Sequence, residues 1–422
     1  MATKFTREEE IMFDSVLEGF EDLLVIGKEA TKYTAPNPND MVNYGDRFWL
    51  PQQMIGASYD GFDQTSNFDG LTELAVPVTI GYHKSVPKTL SAKNLRNSWA
   101  LTQYGQAAKQ KLASDVNRAL SDTVSLQGSV FIKRTVAATG FDDLALADTR
   151  LITTGVTDLD RAAFLSAGDY NNMASNLAKP QTSGLDKTAN AYERGYVGNV
   201  SGFETFKNDT ATTLTAATGG VTTVNGAGQY WEPAATSTAG TGEISNVDNR
   251  YQNLTVTAAV YANIKAGDAF TIAGVNSVHM VTKQDTGNLQ TFRVISKPSA
   301  GVIQIAPPII SNGGSTIGGK EYQNVTATPA NGAAITWLNT TAASLNPFFV
   351  KGSLLLVPGS FAVDPEDGWQ VMQAVTPDLG IAITYARQGN INDLSVKMRW
   401  DIDFGTSLTD PQKAGTIAFS QA

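Results

Sequence analysis

The stretch GYVGNVSGFETFKND, residues 195–209, is where the chain changes character. Before it the sequence reads as mixed helices and strands. After it, from about 210 to 245, Thr, Ala, Gly, Ser and Asn dominate, and then strand-like runs crowd together: YQNLTVTAAVY, AFTIAGV, HMVT, TFRVI and VIQIA. KPSAG between the last two runs is a turn flanked by alternating apolar residues, the mark of a β-hairpin. These features predict a separate β domain over roughly 215–338. From Asn346 the apolar strands resume as FFVKGSLLLV, GIAITYA and LSVKMRWDIDFGTSLTD, and Asp410 with Pro411 opens a short terminal element.

Upstream, short helices are predicted around Asp142 to Thr154 and Tyr170 to Lys179. Residues 98–127 read as the longest helix: Leu101, Tyr104, Ala108, Leu112, Val116, Ala119, Leu120, Val124 and Leu126 recur at spacings near 3.6, and Gly128 ends it. The segment from Lys88 to Arg134 holds eight bases and two acids. After the breaker-rich TAPNPND at 34–40, RFWLPQQMIG, a soft tip YDGFDQTSNFDG at 59–70 and LTELAVPVTIG form a long two-stranded excursion. Pro51 and Pro77 suit strand edges, and a hairpin with so little core needs a neighbour to lie on.

The first segment is an amphipathic helix. Thr6 with Glu9 forms a capping-box pattern, and Phe13, Val16, Leu17, Phe20, Leu23 and Leu24 follow helical spacing. Glu8, Glu9, Glu10, Asp14, Glu18, Glu21 and Asp22 occupy the other face, and residues 1–30 carry eight acids against three bases. The first-turn acids suit the helix dipole; the later ones read as a solvated face or as a docking site for a basic partner.

The chain has 422 residues, room for two or three structural units. Charged residues are 17% of it, against about 25% in ordinary domains, which reads either as extensive association or as a large β protein rich in Thr and Ala. Cysteine is absent and His83 and His279 are the two histidines, so thiol nucleophiles, thiolate zinc sites and disulfide frameworks are excluded, along with most triad chemistry. A formal net charge of -9 argues against free-standing affinity for nucleic acid or anionic membranes. The N-terminus carries no signal-peptide pattern and no stretch approaches a membrane span, so the chain reads as cytosolic when made.

Several motifs tempt and fail. GSTIGGKE at 314–321 places Glu321 where a phosphate-binding loop needs Ser or Thr, and reads as a flexible turn. Asp403, Phe404 and Gly405 spell the kinase metal motif without its companion signatures. Asp401 and Asp403 share one face of a strand, read as a salt-bridged sheet rim rather than a divalent-ion site. Both histidines read as ordinary strand or turn residues, and Asp142 and Asp143 as helix caps. No catalytic, cofactor-binding or metal-ligating constellation emerges.

The order of an acidic N-terminal arm, a long extended hairpin, a long helix, a mixed region and a terminal sheet resembles tailed-phage major capsid proteins, a fold shared with encapsulins. The run Gly195 to Asp209 is similar to their glycine-spaced strand entry, and Leu394 to Gly405, with Arg399, Asp401 and Phe404, to their closing strands. The β-rich insert, NVDNRYQNLTVTA (246–258) and KAGDAFTIAGV (265–275), resembles the insertion domain of coat proteins from short-tailed enterobacterial phages.

The resemblance implies an α+β capsid fold with an inserted all-β, Greek-key-like barrel. The expected parts are an N-terminal arm (1–42), an E-loop (43–82), a peripheral domain with a spine helix (83–140), the first part of an axial domain (141–214), the insert (215–338), and the second part of the axial domain together with peripheral-domain strands (339–422). It further implies a structural protein without cofactors that assembles as hexamers and pentamers into an icosahedral shell around phage double-stranded DNA, without sequence-specific binding. A scaffolding protein directs assembly through a basic segment, with Asp14, Glu18 and Glu21 as its contacts; a portal protein is a further partner and no membrane is involved. The implied location is the virion, and the host cytoplasm during assembly. In the insert's loop at 231–250, Glu243, Asp248 and Arg250 are the residues implied to reach a neighbouring capsomer. The E-loop residues 47–80 contain no Lys, which opposes a Lys–Asn crosslink there. An encapsulin-like compartment would lack the large insert, and a secreted adhesin would carry a signal peptide.

Overall fold

The computed structural model describes residues 5, 7–33, 44–56, 58, 60–65, 68, 70, 72–91, 97–177, 197–218, 222–311, 317–360, 370–390, 392 and 395–422. Thr6 of the capping-box pattern, the 34–40 breaker, Gly195, residues 314–316 and Leu394 lie outside them. The chain divides into two compact units. One is Met1–Phe48, Val78–Ser121 and Leu354–Ser407; the other is Trp49–Pro77, Asp122–Ser353 and Leu408–Ala422.

In the first unit, the N-terminal helix Arg7–Leu17 buries Glu9, Met12, Phe13 and Val16, one stripe at helical spacing. Phe13 stacks on Trp400 with ring centroids 5.7 Å apart. Gly105 of the long helix admits this stripe, because a Cβ there would sit 2.8 Å from Met12 Cγ. The helix lacks a basic residue in its own last turn; Lys109 Nζ supplies the missing donor, reaching Ser15 O at 3.2 Å and Glu18 O at 3.3 Å. Asn117, also on the long helix, donates to Leu23 O at 2.8 Å and accepts from Ile26 N at 3.3 Å.

The long helix spans Ser98–Gln127, the same bounds the apolar periodicity predicts. Leu101, Tyr104, Ala108, Leu112, Val116 and Leu120 are buried. The first unit's six-stranded sheet runs Thr31–Lys32, Leu354–Gly359, Ser395–Leu408, Ala382–Asn390, Gln370–Val375, with Tyr82–Ser91 also paired to Ser395–Leu408. The two-stranded excursion is present as a separate sheet of Arg47–Pro51 and Ala75–Thr79.

The second unit contains two six-stranded sheets. A mixed one orders Val130–Lys133, Ala414–Ala418, Asn346–Val350, Arg161–Ser166, Phe203–Asn208 and Asn199–Val200. Arg161–Ser166 and Phe203–Asn208 pair in parallel, which needs a crossover; helix Ala167–Leu177 lies in that connection. Helix Phe141–Thr153 packs Leu144, Ala147 and Leu151 into the same core as Phe203 and Phe348. Asp143 caps that helix's start, accepting from Thr139 N at 2.6 Å and Gly140 N at 3.1 Å.

The other sheet is antiparallel: Thr222–Thr223, Ala334–Trp337, Ala269–Val278, Asp285–Ser299, Val302–Ala306, Gln252–Thr255. Asp285–Ser299 and Val302–Ala306 are the hairpin that KPSAG predicts. Gln252–Thr255 precedes the three central strands in sequence yet lies beside the last of them, a Greek-key return. A Val224–Val256 bridge, with Asn225 N donating to Thr255 O at 3.0 Å, joins the two outer strands and closes the barrel. Phe270, Ile272, Phe292, Val294, Ile303 and Ile305 fill its private core. Residues 317–321 form a five-residue helix, where the sequence reading had a flexible turn.

Candidate assembly surfaces

The acidic residues of the N-terminal segment separate into two classes. Glu9, expected as a first-turn acid that suits the helix dipole, is buried and ion-paired to Arg387, whose guanidinium lies 5.0 Å over the Phe5 ring. Burial, with the Glu9 carboxylate next in importance, holds the Tyr385 phenol well above its ordinary range. Glu21 is buried as well. Its carboxylate accepts the Asp378 amide at 3.0 Å and the Leu379 amide at 2.8 Å. Both acids are therefore internal clamps, and Glu21 as an outward-facing contact is corrected: two backbone donors more than 350 positions away already occupy it.

Asp14 and Glu18 remain exposed. They line a recess of about 400 Å³ together with Leu17, Gly19, Glu21, Asp22 and Pro377. Asp22 is paired with Lys28 at 3.0 Å. Gly19 turns the chain at the recess with φ +77°, a conformation that strains residues with a Cβ. The result is a recess lined by carboxylates and apolar side chains, suited to a cationic side chain whose stem is aliphatic.

The insert's loop projects as a hairpin, Thr236–Thr238 paired with Ile244–Asn246, in which every strand residue is exposed. Ala239 N donates to Glu243 O at 2.8 Å across its tip. Two strands without a buried face are not stable by themselves. Its base is pinned by Asn249, which donates to Ala234 O at 2.9 Å and accepts from the Trp231 indole at 3.1 Å. Glu243 lies exposed at the tip. Asp248 and Arg250 do not: Arg250 is buried, with Nη2 2.8 Å from Asp248 Oδ2 and Nη1 donating to Leu408 O at 2.8 Å. This corrects the reading of Arg250 as an outward contact, because its fork is filled inside the subunit.

His83 is more than an ordinary strand residue. The strand register sets it opposite Asp403, with Nδ1 2.6 Å from Asp403 Oδ1 and Nε2 3.6 Å from Asp401 Oδ1. Arg399 holds Asp401 through two hydrogen bonds of 2.6 Å. The predicted salt bridge is present with the histidine included in it, but not at a sheet rim: Asp401 and Asp403 are buried on a strand paired on both sides. His279 Nδ1 accepts from Val281 N and Thr282 N at 3.2 Å, closing a turn. Among the described residues no group of three His, Asp or Glu side chains is placed to hold a metal, and no helix is long and apolar enough to cross a membrane.

An exposed two-stranded arm, a carboxylate hollow on an amphipathic helix and a barrel spliced into a mixed sheet are the parts of a subunit built for contact. The sequence matches the model of the family described as P22 coat protein, gene protein 5, over residues 1–419. The chain belongs to the P22 coat protein family. It is a phage major capsid protein and forms the shell. The P22 coat family is a structural one.

Solved structures similar to this family member include the CUS-3 coat protein I-domain, 38% identical, matching 29% of this chain and 99% of that one with a TM-score of 0.23. A chain from Mycobacterium phage Che8 is 11% identical over 93% of this chain and 94% of that one, TM-score 0.43. One from the capsid of Cyanophage P-SCSP1u is 12% identical over 93% and 87%, TM-score 0.44.

Proposed function

We propose that this capsid protein assembles as hexamers and pentamers into an icosahedral shell around phage double-stranded DNA, and that a scaffolding protein directs it by docking a basic segment in the Asp14–Glu18 hollow. The observation that carries the docking is the exposure of two acids around one recess: Glu9 is ion-paired inside the fold and Glu21, which also lines the recess, is buried and accepts two backbone amides, whereas Asp14 and Glu18 are exposed. The hairpin at 236–246 reaches a neighbouring capsomer, with Glu243 as its charged contact. Assembly takes place in the host cytoplasm, a portal protein completes the shell, and the subunit catalyses no reaction.

Each contact is weak and the shell is not, because later contacts on one rigid lattice are effectively intramolecular. Exposed carboxylates steer a basic partner and are screened by salt. Light scattering of scaffold-assisted assembly tests this: Asp14→Asn with Glu18→Gln is expected to slow assembly at low salt to the rate the natural sequence shows at high salt. A variant assembling at the natural rate, with the natural salt dependence, contradicts the docking.

A further inference from the structure

The sequence contains three Asn–Gly dipeptides, at 225–226, 312–313 and 331–332. The middle one lies outside the described residues. Asn–Gly is prone to deamidation within the chain, because glycine leaves its own amide nitrogen unshielded beside the asparagine carboxamide. The other two dipeptides meet in the second unit, at the seam that closes the antiparallel barrel. Thr222–Thr223 pairs with residues 334–335 on one side. On the other, Asn225 N donates to Thr255 O and Thr257 N to Thr223 O, both at 3.0 Å.

Each glycine amide is held from across the seam. Gly226 N donates to Asn331 Oδ1 at 2.8 Å, and Gly332 N to Val224 O at 2.9 Å. The carbonyls of the first dipeptide are engaged as well: Gln229 Nε2 donates to Asn225 O at 2.6 Å and to Gly226 O at 3.2 Å. The two asparagine side chains differ. Asn331 commits its carboxamide oxygen to Gly226, whereas the Asn225 carboxamide is exposed and makes no hydrogen bond among the described residues. One hydrogen bond, from Gly226 to Asn331, therefore separates an unheld carboxamide from the nitrogen that can attack it.

We propose that Asn225 is a deamidation site of this protein and that Asn331 guards it. The reaction starts from a local opening of the seam that frees the Gly226 amide. Its nitrogen attacks Asn225 Cγ, its proton passes to the side-chain nitrogen as the Cγ–N bond breaks, and ammonia leaves behind a succinimide. Water then opens the ring to aspartate or isoaspartate. Isoaspartate routes the main chain through Cβ and so displaces the bonds that 225 and 226 make to Thr255, Gln229 and Asn331. The modification thus falls on the strand that closes the barrel. Asn331 reacts more slowly, because its own carboxamide oxygen and the Gly332 amide are both engaged.

Peptide mapping by mass spectrometry, on the full-length unassembled subunit aged in mildly alkaline buffer, tests the proposal. In the folded protein Asn225 is expected to convert faster than Asn331, and in urea both are expected to accelerate. Asn331→Ala removes the guard and should raise the Asn225 rate about fivefold, the worth of one hydrogen bond. Asn331→Asp keeps an acceptor oxygen and should hold Asn225 near its natural rate, which separates loss of the guard from a general loosening of the seam. The comparison of folded with urea-unfolded natural protein holds even if a variant fails to fold. Asn225 converting as fast in the folded protein as in urea, Asn331 converting ahead of it in the folded protein, or an Asn225 rate unchanged by Asn331→Ala overturns the assignment.

Discussion

Glu21 Oε1 accepts the backbone N–H of Leu379 at 2.8 Å, so an acid of the N-terminal segment closes a turn near the other end of the chain. A second amide, from Asp378, shares the carboxylate. Glu21→Ala leaves two amides without their acceptor and is expected to lower the unfolding free energy by about 1–3 kcal/mol. Asp14→Asn and Glu18→Gln, at exposed positions, should stay within about 0.5 kcal/mol of the natural protein. Urea unfolding of the three variants checks the contrast.

The Glu9–Arg387 pair is the second internal clamp. Arg387→Met removes the cation and leaves a buried carboxylate, a change that typically costs about 3–5 kcal/mol. Adding Glu9→Gln should recover part of that loss, because the remaining group is then neutral. A double-mutant cycle by denaturant titration measures the coupling.

Much of the architecture is legible in the sequence where one periodicity acts alone. The 98–127 helix is fixed by its apolar stripe, and the 285–306 hairpin by alternation around KPSAG. Features made by distant partners are not legible. Glu9 and Glu21 look like any acids on an amphipathic helix until residues 378, 379 and 387 arrive. His83 meets Asp403 only through a strand register spanning 320 positions. Arg250 sits in a polar, loop-like stretch and nevertheless turns inward to Asp248 and Leu408 O. An Arg two residues after an Asp gives a weak signal of such a local fork.

Burial pushes the Lys283 amine down to about 8, with the Glu321 carboxylate pulling the other way. The unfolded chain holds this proton up to its ordinary 10.5, so between about 8 and 10.5 unfolding takes up a proton and stability rises with pH. Below that window the amine is charged in both states and its desolvation cost is fully felt. Lys283→Met is therefore expected to be at least as stable near pH 7 and to lack the rise toward pH 10. Unfolding free energies across the window give the slope directly.

Gly405 lies where a Cβ would come 2.5 Å from Thr79 O, a backbone atom that cannot swing aside. Gly405→Ala is expected to destabilise by about 1–3 kcal/mol through forced backbone shifts. Thermal unfolding by circular dichroism reports it.

The most direct test is electron microscopy of the subunit produced with the proposed scaffolding protein, the natural sequence beside the Asp14→Asn, Glu18→Gln variant. The natural protein should close into shells, while the variant should remain folded and soluble but largely unassembled. Shells formed by the variant at the natural yield would contradict the docking role of the acidic hollow, and a natural protein that never closed would contradict the proposed assembly as a whole.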